Sequence, residues 1–356
     1  MTFARPLRLL TASLAVTAVL SAAACGGDGK PKKNSASPLP TSPAPTTSAA
    51  PSTPAPPPPK NPLTGVGAVP TAPVVSVKID DTEPGRPQVG INQADIVYVE
   101  AVEGGLTRLA AIFGTHHPSK VGYVRSTRPS DPDLLLQFGK ITAAYSGGAH
   151  DSLPLMRRSG LKSWSNDAGA AYYFRAPHAN DHGYINLALN LAEVAKKTHT
   201  AAPHSIGWTF SASDAGLPAT TGTNVRTTVR GSYSVGTPVQ FKWDAKLHAY
   251  VRYIDGVRQV DAGGHPVAAT NVVVQFCKVV SHPQDTDVNG NPSQFTYTVG
   301  SGPVAVFRHG KRINGTWSRP GVHSGTSFKL PDGKALPLVP GNTWVVLATK
   351  GTPLTG

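Results

Sequence analysis

Two cysteines in 356 residues leave almost nothing for disulfide bonding. If Cys25 is modified, Cys277 has no partner, and any folded body must rest on its core rather than on cross-links. Beyond residue 24 no apolar run approaches the roughly 18 residues that a membrane-spanning helix needs, so no transmembrane helix is expected. Charged side chains are sparse at 15%, and the basic ones are not gathered into Lys/Arg runs interleaved with aromatics, which argues against nucleic acid as a partner. There is no Gly-x-x-x-x-Gly-Lys phosphate loop, no Cys-x-x-Cys pair, no Gly-x-Ser-x-Gly elbow, no Cys-based transpeptidase motif and no internal repeat. No cofactor and no metal are expected.

What is present starts with a leader. Arg5 and Arg8 precede a mostly apolar stretch from Leu9 to Leu20, then Ser21-Ala22-Ala23-Ala24, then Cys25. A basic region, an apolar core and small residues make residues 1–24 a signal peptide. A cysteine directly after them, followed by Gly26-Gly27, is the arrangement that receives lipid; a plain cleavable signal is the alternative. The expected location is a lipid anchor on the outer face of the cytoplasmic membrane, with the rest exposed in the cell wall. Residues 25–60 are the anchor residue and a tether rich in Pro, Ser and Thr, with too little apolar surface to fold. In a polyproline-like form the tether reaches on the order of 100 Å; glycosylation would stiffen it without changing that role.

The formal charge is +13, but residues 1–60 hold six Lys/Arg and one acid, leaving 27 basic and 19 acidic side chains, a surplus of +8. Wall polymers, anionic lipid and cell-wall carboxylates are fitting counterions.

Residues 61–206 read as a mixed α/β domain, 207–230 as a connection, 231–350 as a smaller and mostly antiparallel β domain, and 351–356 as a tail, an α+β protein as a whole. In the first domain Val74–Asp80 is a strand. Ala94–Glu103 and Leu106–Phe113 flank Gly104-Gly105, which predicts a two-residue hairpin pairing Glu103 with Leu106 and Ala101 with Arg108. Val121–Arg125 and Ile141–Tyr145 are further strands; Asp131–Phe138, Ser152–Arg158 and Asn186–Lys197 are expected helices. From Gly231 onward short β-rich runs follow, at 248–254, 258–261, 272–280, 295–299, 304–308, 316–319 and 343–347. Alternation in the third of these places Cys277 beside Val273 and Val279 on one face, as a buried, inert thiol.

Ile79-Asp80, Arg86-Pro87-Gln88, the run from Gln93 to Tyr98, the run from Glu103 to Arg108 and the run from Val124 to Arg128 together resemble the N-terminal part of the YerB-like lipoprotein family. Tyr250–Gly256, Ala269–Val274, Gly300–Gly302, Trp317–Arg319 and Pro340–Trp344 resemble its C-terminal part. The resemblance covers nearly all of residues 62–350 and implies a lipoprotein built of two domains of unknown function. Asp81 stands where that pattern has asparagine, and Ala179 separates His178 from Asn180 where the two normally adjoin.

Glu100 and Glu103 suggest paired glycosidase carboxylates, but residues three apart on a strand face opposite ways, and Glu103 diagonal to Arg108 makes an ion pair. Arg125 and Arg128, with Arg86 and Arg108, form either a fork-like site for a carboxylate or phosphate or internal pairs with Asp80, Asp95, Glu100 and Glu103. His178 and His182 flank Asp181 at a spacing that suits a metal only on a helix, which Pro177 and Gly183 discourage. His178 is otherwise a polar ligand contact, an acid or base, or a loop histidine. Ser146–Asp151 is an anion-binding loop or a strand-to-helix turn. Trp317, Arg319 and Trp344 form either a carbohydrate surface or core. The leading expectation is an envelope-ligand binder using Arg86, Glu103, Arg108, Arg125, Arg128 and His178. The rivals are a wall hydrolase or transferase using Asp80 or Glu103 with His178, and a structural partner of another envelope protein.

Overall fold

The structure, a computed structural model, describes Pro58 and residues 60–356. The leader, Cys25 and nearly all of the tether lie outside the described residues. One sheet dominates. Its first strands are β1 (Val75–Asp80), β2 (Ile96–Ala101) and β3 (Thr107–Phe113). β1 is antiparallel to β3 and parallel to Thr142–Tyr145, which is itself parallel to the edge strand Lys162–Ser165. On the other side of β3 lies β2, and β2 pairs in parallel with Thr343–Thr349, the last strand of the chain. Asn271–Cys277, Gly300–Arg308, Lys311–Arg319 and Ser327–Lys329 then follow in order. Residues of both halves therefore share one continuous sheet.

The central strands are covered on both faces, and β1 meets its covers unequally, with Val75, Val77 and Ile79 on one face and Ser76, Lys78 and Asp80 on the other. β1 and β2 are buried throughout. One face packs on a second sheet built from Asn224–Val229, Thr237–Asp244 and Ala249–Ile254, through Phe241, Tyr250 and Trp344. The other face packs on α1 (Asp131–Leu135), its 3-10 continuation Leu136–Phe138, and α2 (Ser152–Arg158). With α3 (Leu191–Lys197) these are the α-helices among the described residues, each of five to seven residues. The protein is thus mixed but predominantly sheet, with less helix than the α/β reading of its first half implies.

The strand expected over Val121–Arg125 is confined to Val121–Gly122, and the connection expected over 207–230 holds the strand Asn224–Val229; two further corrections bear on the site. The helix expected over Asn186–Lys197 starts only at Leu191. Asn190 caps it, its side-chain oxygen accepting the Glu193 N–H at 3.3 Å, while Leu187–Leu189 is a strand against Tyr173–Arg175. The hairpin register is shifted by one: Ala101 faces Thr107 and Glu100 faces Arg108. A longer loop intervenes, closed by the Val102 N–H on the Leu106 carbonyl at 2.9 Å, with Gly104 and Gly105 at φ of 63° and 74°. A side chain at Gly105 would lie 2.4 Å from the Val235 carbonyl, so only glycine admits this approach of the second half.

Cys277 is buried beside Val273, whereas Val279 belongs to the next strand and packs on the other core. Burial pushes its thiol up to about 12, away from nucleophilic use.

Candidate functional site

The register shift decides what the acids do. Glu100, held inside the strand, points to the helical face, where Lys78 Nζ lies 3.0 Å from Glu100 Oε2 and 2.6 Å from Asp131 Oδ1. All three side chains are almost fully buried. Asp131 also accepts the Thr127 hydroxyl at 2.8 Å and the Arg128 N–H at 2.7 Å. Burial and the neighbouring Asp131 push Glu100 up to about 8 against the pull of Lys78. Burial disfavours the charged forms of Lys78 and Asp131 as well, but their mutual attraction outweighs it, keeping the ammonium protonated and the carboxyl below its ordinary value.

Glu103, displaced into the loop, leaves the strand and is sequestered by Arg128 Nη2 and the Ser293 hydroxyl. Arg108 Nη1 stands 3.9 Å from its Oε2 and has no hydrogen-bond partner. Asp80 Oδ1 accepts the Thr82 N–H and hydroxyl at 2.6 and 2.5 Å, and its Oδ2 lies 3.1 Å from Arg125 Nη1. Glu103, Arg108 and Arg125 line one open cleft of about 360 Å³ together with Thr82, Leu106, Tyr184, Ile185 and the Asp287–Asn289 turn. Leu106, Tyr184 and Val288 are exposed at its rim, Val288 completely. The turn comes from the second half of the chain and is stiffened by Asp287, whose Oδ1 accepts the Asn289 and Asn291 N–H groups at 2.9 and 2.8 Å.

Arg86 lines a neighbouring cleft of about 260 Å³ with Asp81 and Val235, sharing Thr82 and Leu106 with the first. Burial lowers its guanidinium from the ordinary value, against the attraction of Asp81. Behind this second cleft Asp81 binds Arg252 in a two-point pair, 2.7 Å at each contact.

Of the six expected residues, then, Glu103, Arg108 and Arg125 converge, Arg86 is next door, and Arg128 sits behind Glu103 at 4% exposure. His178 does not line either cleft. Its ring stacks on Tyr123 with centroids 4.0 Å apart, its Nε2–H donates to the Ile185 carbonyl at 2.8 Å, and it is hydrogen-bonded to neither Glu103 nor Asp80. His182 lies 3.6 Å from Glu83 instead of beside His178, and no group of three metal-ligating side chains occurs among the described residues. In the loop after Tyr145, Ser146 reaches Asp167 at 3.3 Å, while Asp151 pairs with His150 and His282. Trp317, Arg319 and Trp344 are core, each at most 2% exposed.

The sequence reading missed Lys78, Asp131, Arg252, Ser293 and the Asp287 turn. Lys78 alone carried a signal, a charged residue inside an otherwise apolar strand.

The models of "Protein of unknown function (DUF3048) N-terminal domain" and of its C-terminal counterpart match residues 63–204 and 228–345. The chain is 32% identical over 298 residues to a Bacillus subtilis protein described as "Putative lipoprotein YerB", which spans 80% of this chain and 85% of that one. The crystal structure of YerB protein from Bacillus subtilis has the same fold, with a TM-score of 0.68 at 24% identity, covering 83% of this chain and 99% of that chain. On these matches the chain belongs to the DUF3048 family, whose function is unknown.

Proposed function

We propose that this protein is a lipid-anchored envelope lipoprotein that binds an anionic ligand, a carboxylate or phosphate of the cell envelope, in the Arg108/Arg125 cleft. The observation that carries the ligand reading is the state of the two arginines. Arg125 is 30% exposed and, among the described residues, has Asp80 as its one ion-pair partner, and Arg108 Nη1 is held only loosely, 3.9 Å from Glu103 and without a hydrogen bond. An oxyanion entering the cleft would bind the exposed Arg125 guanidinium, with the charge of Arg108 adding to the attraction from the cleft wall. The exposed Leu106, Tyr184 and Val288 would cover the apolar or ring portion of the same ligand.

The anchor reading rests on Cys25 after its leader and on the relative described as a lipoprotein. It places the protein on the outer face of the membrane, with residues 25–60 as the tether. Cys25→Ala is then expected to move the protein from the membrane fraction to the soluble one; retention unchanged from wild type would overturn it.

The ligand reading has its own test. Arg125→Ala is expected to reduce retention on purified wall material at least tenfold, in line with the loss of a charge-assisted pair worth about 1.5–3 kcal/mol, while leaving the melting temperature near that of the wild type. Arg128→Ala is the contrasting variant, because it strips Glu103 of its buried partner and should destabilise. Undiminished retention by Arg125→Ala would remove the cleft from consideration.

A further inference from the structure

The cleft occupies one end of the N-terminal strands; the opposite end has a different chemistry. Phe113, Val75, Thr142 and Lys162 form a lateral row across four strands. Just beyond that row lie Thr115–His117, Gly139–Ile141, the C-terminal turn of α2 with Arg157 and Arg158, and the segment leaving α3. That segment is tied in by the Val74 N–H on the Ala201 carbonyl at 2.8 Å, and His204 stands 3.2 Å from where a side chain at Gly139 would begin. The chain enters the described body here too, since the Asn61 side chain donates to the Thr115 hydroxyl at 2.7 Å.

Residues 60–75, 113–117, 139–142, 157–162 and 196–204, which build this end, contain no Asp or Glu. They contain Lys60, Lys140, Arg157, Arg158, Lys162, Lys196 and Lys197, all exposed. Only Lys196 has an ion-pair partner among the described residues, Glu193. The nearby Asp95 is buried and spent on the Gly114 and Thr115 N–H groups at 2.6 and 2.8 Å. His116, His199 and His204 are exposed on the same segments.

We propose that this acid-free end is a docking surface for the anionic phospholipid headgroups of the membrane that carries the protein. Six unpaired cations on one end, with no carboxylate among them, are a field that solvated loops do not need. Each exposed Lys or Arg brought to an anionic bilayer strengthens association about fivefold at physiological salt. Chain entry at the same end selects the occupant: the tether leaves the body from this face, so the face can settle on the bilayer that holds the anchor without the chain passing around the body. The inference rests on anchoring at Cys25 and is independent of the cleft's ligand.

The full chain is placed in vesicles of phosphatidylcholine, with and without phosphatidylglycerol, and treated with an amine-acylating reagent read by mass spectrometry. Acylation of Lys140, Lys162 and Lys197 is expected to fall at least fivefold on the anionic vesicles. Lys278 and Lys350, at the other end of the sheet, should be unchanged. The protection should vanish at high salt and in the Lys140→Glu/Lys162→Glu variant, read at Lys197. Equal acylation in the two vesicle types would overturn the proposal. So would protection on neutral vesicles by inorganic phosphate, which would assign the cations to a soluble phosphate.

Discussion

Asp81→Ala is expected to cost about 3–5 kcal/mol of stability, the penalty for removing one member of a buried ion pair. Arg252 is 1% exposed, and its two terminal nitrogens each reach an Asp81 oxygen at 2.7 Å. The Thr107 hydroxyl donates to the same carboxylate at 2.6 Å, and the guanidinium lies 5.1 Å from the Trp344 ring centre. With Asp81 gone the cation keeps its charge, and nothing nearby replaces the carboxylate. The double variant Asp81→Ala/Arg252→Met should recover most of the loss, because it removes the stranded charge while filling the space. Urea denaturation at neutral pH measures both; a single-variant loss below about 1 kcal/mol would mean that solvent reaches Arg252 and that the pair is not the joint between the halves.

Lys78→Met is expected to have an effect of the same order, about 3–5 kcal/mol at neutral pH, with a pH signature of its own. It leaves Glu100 and Asp131 facing each other in the core. Glu100 already holds its proton toward pH 5, so Asp131 is the carboxylate left without its cation, and the loss should shrink as pH falls and Asp131 is protonated in turn. Glu100 has the opposite sign from an ordinary ion-paired acid. Its carboxyl is raised in the folded state from 4.5 to about 8, so the folded protein holds a proton that the unfolded chain releases. Its contribution to stability is complete below about pH 4.5 and declines as pH rises toward 8. Glu100→Gln, which mimics the protonated form, should therefore flatten the fall in melting temperature across that window. An identical pH profile in wild type and Glu100→Gln would refute the assignment.

Much of the strand pattern was legible because β-rich runs with glycine turns are a local signal. In the second half the runs at 248–254, 304–308, 316–319 and 343–347 fall within or on observed strands, and 272–280 is divided at Lys278. Asn224–Val229 and Thr237–Asp244, two strands of the second sheet, gave no signal that was read, the first lying in the expected connection. The hairpin register was not legible, since Gly-Gly fits a two-residue turn as well as the longer loop; the Val235 carbonyl packed on Gly105 goes with the latter. Hence the arginine in close contact with Glu103 is Arg128, while the cross-strand Arg108, expected as its partner, stands 3.9 Å away. Asp81 stood out in the sequence only as a departure from the family pattern. Its partner lies 171 residues away on another sheet, a separation that no local pattern spans.

Among the described residues the last strand in sequence, Thr343–Thr349, lies in the middle of the sheet, between β2 and Asn271–Cys277. Both neighbours must wait for it with unpaired backbone edges. A chain delivered N-terminus first cannot complete its sheet until residues 343–349 arrive, and pairings this distant in sequence close slowly. Truncation ahead of Thr343 would open the centre of the sheet, not trim its rim. Synthesis and folding are thus forced into sequence: β2 stays an open, aggregation-prone edge until the last strand is in hand.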